Sequence, residues 1–184
     1  MAEQELNCPS LVRVAGGADY DEVWRLLMAS HEENGLFPLA EDKVRWFVNR
    51  TIHPETIPPH DTGVRGIIGV IGEVGGALEG LVFLTIGEFW YSQAKHIEEY
   101  TVFVDPNHRR SGHAQALLKW MKSQVELTGL PLMTGIMSNH RTEAKCRLYQ
   151  RQMPKIGEFY FVRPIAGGMY GTFKGPTPAS SAVN

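Results

Sequence analysis

The chain is poor in cysteine. Its 184 residues hold only Cys8 and Cys146, which excludes a disulfide framework and points to a reduced compartment. Charge of one sign is also lacking. Eighteen Lys and Arg stand against 20 Asp and Glu, a formal charge of −2. A near-neutral chain lacks the basic surface expected of general nucleic-acid or anionic-membrane binders. No apolar run approaches the roughly 20 residues needed to cross a bilayer. The start, Met1-Ala-Glu-Gln-Glu-Leu, has no basic n-region or apolar h-region and does not read as a signal peptide. A cytoplasmic protein with neither nucleic-acid nor membrane partners is the expectation. What is present is ordinary for one globular domain: 43% apolar and 21% charged residues.

Hydrophobic periodicity and punctuation divide the chain. Ser10 to Ala15 alternates as a strand. Asp19 with Glu22 reads as the start of a helix running to Asn34-Gly35. A second helix opens at Ala40-Glu41-Asp42, with Val44, Phe47 and Val48 on its apolar stripe. Pro54, Pro58 and Pro59 make residues 51–63 a loop. Gly66 to Glu73 and Ala77 to Ile86 flank Gly75-Gly76 and read as a hairpin. Ile97 to Val104 is a strand ended by Asp105-Pro106. Ala114, Leu117, Leu118, Met121 and Val125 mark an amphipathic helix closed by Gly129. Leu132 to Met137 is a strand and Thr142 to Gln152 a helix. Ile156 to Val162 and Met169 to Phe173 complete a mixed α/β sheet, mostly antiparallel, with helices on both faces. One domain over residues 1–174 is expected, followed by a disordered Gly/Pro/Ser tail over 175–184.

The most informative segment is Val102-Phe-Val-Asp-Pro-Asn-His-Arg-Arg-Ser-Gly-His-Ala114. A strand ends, a short polar turn follows, and a helix begins on glycine. The first amides of a helix have no internal partner, and with the helix dipole they form an anion site. Gly112 carries no Cβ to obstruct a phosphate. Arg109 and Arg110 supply charged donors, Ala114 is small, and Ser111 is a candidate N-cap. Neither a Walker loop nor a dinucleotide Gly-x-Gly-x-x-Gly is present.

Arg109-Arg-Ser-Gly112-His-Ala114 resembles the Arg/Gln-x-x-Gly-x-Gly/Ala motif of the GNAT superfamily of N-acetyltransferases. The lead-in Val-Phe-Val-Asp-Pro, the follow-on Ala-Leu-Leu-Lys-Trp and Leu78-Glu79-Gly80 are similar to that family too, and the order of elements fits from about Val12 to Phe173. The resemblance implies the acyl-CoA N-acyltransferase fold, with a V-shaped cleft where the strand ending at Val104 splays from the strand over 132–137. Acetyl-CoA would lie there. Its pantetheine would pair with backbone groups of Val102, Phe103 and Val104. Its pyrophosphate would rest on the amides from Arg110 through Ser111, Gly112 and His113 to Ala114. Asn139 is a further cofactor contact suggested by the family pattern, although it lies ten residues before Tyr149.

Acetylation of an amine requires proton removal from nitrogen and tolerates proton donation to the leaving thiolate. Strict alternation places Glu98, Tyr100, Val102 and Val104 on one strand face. That face puts Glu98 below the expected cleft, and the family resemblance supports it as the base; Glu99 replaces it if a bulge changes the parity. The family resemblance assigns Tyr149 as general acid near the sulfur. His96, His108, His113 and His140 surround the cleft segments without ligand spacing for a metal, so no metal site is expected. Trp90 and Tyr91, and the segment Asn34 to Val48 with Trp46 and Phe47, are candidate acceptor walls. The function so read is acetyl-CoA-dependent transfer to an amine-bearing acceptor, small molecule or protein, by direct attack. A CoA-binding or protein-interaction module without turnover, or transfer of a longer acyl group, is the alternative. Oligomeric state stays open, a homodimer included.

Overall fold

The computed structural model describes residues 11–157 apart from 62, 139 and 140. The expected strands over 156–162 and 169–173, the tail, Cys8, Asn139 and His140 lie wholly or in large part outside them. The described elements are β1 (Arg13–Val14), α1 (Tyr20–Asn34), α2 (Glu41–Ile52), β2 (Gly66–Ile71), β3 (Gly80–Glu88), β4 (Lys95–Val104), α3 (His113–Thr128), β5 (Leu132–Met133) and α4 (Thr142–Gln150). Short 3₁₀ turns cover Gly17–Asp19, Pro54–Thr56 and Pro106–His108.

The strands lie in the order β1-β2-β3-β4-β5. The first four are antiparallel, and β5 joins β4 in parallel. This is the mixed sheet expected. α1 and α2 bury Val23, Leu26, Leu27, Val48 and Ile52 against Ile68, Val70, Leu81, Phe83 and Phe103 on one face. α3 buries Leu117, Leu118 and Met121 against Val82, Leu84 and Ile97 on the other, where Leu148 and Tyr149 of α4 also pack. Fully burying one such side chain contributes roughly 1.5–3 kcal/mol, so the two stripes lock the helices to opposite faces.

Several local expectations are revised. Only Gly75 of the Gly75-Gly76 pair has positive φ, at 69°. Asp19 does not cap α1 with its side chain; instead its carboxylate takes two bonds from Arg13, at 2.7 and 2.8 Å, and the amides of Gly16 and Gly75. Arg25 reaches from α1 to Asp105 at 2.8 Å and to the Leu78 carbonyl at 2.8 Å. It thereby ties α1 to the turn after β4. β5 pairs over only two residues, and residues 134–138 leave the sheet.

Candidate functional site

Only Ile97 and Glu98 of β4 pair with β5, opposite Leu132 and Met133. Beyond them the chains diverge. The remaining β4 edge borders a cleft of about 480 Å³, lined by Val102, Phe103 and Val104 on one side and by Gly135, Ile136, Met137 and Ser138 on the other. A strand edge without a neighbour presents backbone donors and acceptors to whatever enters.

The turn after β4 closes one end of this cleft with Arg109, Ser111 and Ala114. The N-cap of α3 is Gly112, one residue later than the serine expected. Ser111 still contributes, because its Oγ accepts the His113 amide at 3.2 Å. The Ser111 amide is bonded to the His108 carbonyl at 3.1 Å. Among the described residues, the amides of Gly112, Ala114 and Gln115 have no hydrogen-bond partner, as expected of the first turn of a helix. A Cβ added at Gly112 would meet no atom within 4 Å. Neither Arg110 nor the His113 side chain faces the cleft; the imidazole turns instead to Glu79.

The parity of β4 is set by a bulge. Phe83 pairs with Thr101 and Leu84 with Glu99, so Tyr100 is an extra residue. Paired residues share a face of the sheet. Glu99 therefore lies on the face of Val82 and Val102, the α3–α4 side, and Glu98 lies with Thr85 on the opposite one. The expected orientation of Glu98 toward the cleft is corrected accordingly. Its carboxylate is 40% exposed and bonded to His96 Nε2 at 3.0 Å, and it does not line the cleft. The inserted residue shifts every side chain before it to the other face.

Glu99 meets Tyr149 inside the cleft. The Tyr149 hydroxyl donates to Glu99 Oε2 at 3.0 Å, and the Thr134 hydroxyl donates to the same oxygen. Burial pushes the Glu99 carboxyl above the usual carboxylate range, against the opposing pull of the two hydroxyls. Burial first, and then the neighbouring Glu99, push the Tyr149 phenol well above its ordinary value.

A polar strap crosses the cleft. Glu33 of α1 pairs with Arg109. Lys145 of α4 donates to Asn34 Oδ1 at 2.8 Å and Ser138 Oγ at 2.7 Å. Its ammonium is shifted down, chiefly by burial. Arg141, at the N-cap of α4, lines the cleft with φ 52°, a left-handed conformation that costs a non-glycine residue of order 1–3 kcal/mol and clusters at functional sites. Of the segment expected as an acceptor wall, Asn34 alone lines the cleft; Trp46 and Phe47 meet edge to face, and Phe47 meets Tyr100 in the same way. Trp90 and Tyr91 lie in the β3–β4 connection, away from the cleft. Glu33, Lys145 and Ser138 escaped sequence reasoning because nothing local links α1 to residues more than a hundred positions later.

The match to the Acetyltransferase (GNAT) family runs over residues 20–153. The chain belongs to the GNAT acetyltransferase family. No curated protein sequence matches it. Among solved structures, a GCN5-related N-acetyltransferase from Ralstonia eutropha JMP134 is 24% identical, with a TM-score of 0.59 over 85% of this chain and 98% of that one. A ribosomal-protein-alanine N-acetyltransferase from Brucella melitensis biovar Abortus 2308 is 13% identical, with a TM-score of 0.56 over 84% and 98%. AAC(6')-Iy, in complex with a bisubstrate analogue of CoA and monomethyl-acetylneamine, is 14% identical, with a TM-score of 0.55 over 83% and 97%. These likenesses establish the acyltransferase fold.

Proposed function

We propose that the protein is a cytoplasmic N-acetyltransferase that uses acetyl-CoA and an amine-bearing acceptor in a ternary complex. The observation that carries this reading is the splayed β4 edge meeting the open first turn of α3 and the Glu99–Tyr149 pair in one cleft. Pantetheine would pair along Val102, Phe103 and Val104. Pyrophosphate would take the amides of Gly112, Ala114 and Gln115, with Arg109 as the charged donor. The bisubstrate complex of AAC(6')-Iy supports a CoA donor for a neighbour of this fold.

The chemistry follows from the pair. The amine lone pair attacks the thioester carbon, a C–N bond forms and the C–S bond breaks. Glu99 takes the proton from nitrogen, directly or through one water. The Tyr149 hydroxyl gives its proton to the departing sulfur and regains one from the newly protonated Glu99. Nitrogen thus loses one proton, sulfur gains one, and the pair ends as it began. A phenol with so high a proton affinity is a poor donor alone; simultaneous return of a proton from Glu99 removes the need for a free phenolate. Arg109, Arg141 and Lys145 line the same cleft as the pair.

The test is a panel of amines with acetyl-CoA, reading free thiol release and acetylated product. Turnover with an amine and none without it supports the assignment. Acetyl-CoA binding without turnover across small amines, peptide N-termini and lysine peptides would favour a binding module, and preference for a longer acyl-CoA would change the donor.

A further inference from the structure

Away from the cleft, three side chains from separate segments converge. Glu79 stands just before β3, His108 ends the 3₁₀ turn after β4, and His113 opens α3. Their ligand atoms all lie within 4.8 Å of one another. Glu79 Oε2 is 3.2 Å from His108 Nδ1 and is also bonded to His113 Nε2. The two imidazoles are nearly parallel, 13° apart, with centroids 5.9 Å apart. None of the three lines the acyl-donor cleft.

We propose that Glu79, His108 and His113 form a binding site for a divalent transition-metal cation of the zinc class. Two imidazole nitrogens and a carboxylate oxygen are the donor set such cations prefer. Bonds of about 2.0–2.1 Å set tetrahedral donors about 3.3 Å apart, close to the spacing that Glu79 already holds with His108. Three protein donors leave the fourth position to water.

The donors are held by their own backbones. The Glu79 amide donates to the Ile71 carbonyl at 2.8 Å, and its carbonyl accepts from Asp105 at 2.8 Å. The His108 amide donates to the Asp105 carbonyl at 2.8 Å, and its carbonyl accepts the Ser111 amide at 3.1 Å and hydroxyl at 2.6 Å. His113 is fixed as the first residue of a 16-residue helix. With the backbones so held and both imidazoles already meeting Glu79 Oε2, a cation finds its ligand atoms brought together before it binds. It also cross-links the start of β3, the polar turn and the start of α3. The sequence conceals this set, because Glu79 is remote from the histidines and His108 and His113 are five apart across a turn.

The experiment uses the full, tag-free chain after chelator treatment. Co²⁺ is titrated in as an optical probe, and Zn²⁺ is titrated by calorimetry. One Co²⁺ per chain is expected, with visible bands of low-symmetry nitrogen–oxygen coordination that Zn²⁺ abolishes. Glu79→Gln, nearly isosteric, and His108→Ala, at a half-exposed turn position, should each lower the affinity at least about tenfold, as even outer-shell changes do at metal sites. His60→Ala, on an exposed loop, should leave it unchanged. Absence of stoichiometric Co²⁺ and Zn²⁺ binding overturns the proposal, and so does binding that Glu79→Gln and His108→Ala leave equally tight. The reading is independent of turnover, so an inactive protein that binds the metal still supports it.

Discussion

The Tyr149 hydroxyl lies 3.0 Å from Glu99 Oε2 and donates to it, joining α4 to the strand that borders the cleft. A proton donor and a proton acceptor are thereby coupled across a single hydrogen bond. Two consequences follow for Glu99, one kinetic and one thermodynamic. Glu99→Gln should lower turnover by about 10²–10³-fold near neutral pH, whereas Glu98→Gln, on the other sheet face, should retain wild-type turnover. Because burial raises the Glu99 carboxyl, the acid limb of kcat/KM should lie above the range of an exposed glutamate and should vanish in the Gln variant. For stability the sign is the reverse of a paired carboxylate. A raised folded value contributes stability below the ordinary carboxylate range, and that contribution is lost as pH rises through the folded value. At neutral pH Glu99→Gln should therefore melt at or above the wild-type temperature. Loss of turnover together with a lowered Tm would instead indicate misfolding.

Tyr149→Phe keeps the ring that packs with Leu148 against α3 and deletes only the hydroxyl. Turnover should fall by about 10²-fold or more, with acetyl-CoA affinity nearly unchanged. Steady-state kinetics with a saturating acceptor and a direct binding titration separate the two. Wild-type turnover in the Phe variant would leave Tyr149 a packing residue.

Acetyl-CoA should raise the melting temperature, because it binds the native state alone. Gly112→Glu is expected to abolish that rise. The new side chain has open space and an ordinary backbone, φ −79°, so the folded protein should survive while a carboxylate stands beside the phosphate. An undiminished thermal shift in Gly112→Glu would move the pyrophosphate elsewhere.

Asp19 is 1% exposed and is held by Arg13 through two bonds. The Arg13 guanidinium, with the Gly16 and Gly75 amides, holds its carboxyl far below the usual range despite burial. Asp19→Asn leaves the guanidinium without its partner and should cost about 3 kcal/mol, or roughly 6–12 °C in Tm for a chain of this size. The wild-type contribution is complete above the ordinary carboxylate range and is lost as pH falls through the depressed folded value. Melting curves at decreasing pH should narrow the gap between wild type and Asp19→Asn; a gap constant down to strongly acid pH would assign the effect to packing.

The sequence by itself determined most of the described elements and the polar turn that leads from β4 into the open start of α3. Leu117, Leu118 and Met121 recur at helical spacing, Gly129 ends α3 with φ 68°, and Asp105-Pro106 ends β4. These are local signals, written in residue type and interval, and the first turn of α3 carries its unpaired amides wherever the helix packs. Tyr149 was legible by the resemblance alone. The choice between Glu98 and Glu99 was not, because two adjacent identical side chains differ only in strand parity. That parity depends on how β4 pairs with β3, and the bulge at Tyr100 is a property of the pair of strands. The same holds for Glu33 with Arg109, Lys145 with Asn34, and Glu79 with His108 and His113. Each joins residues separated by tens of positions, and only the packing of α1 and α3 on opposite faces of the sheet, and the departure of the chain from β5, brings their charges and ligand atoms together.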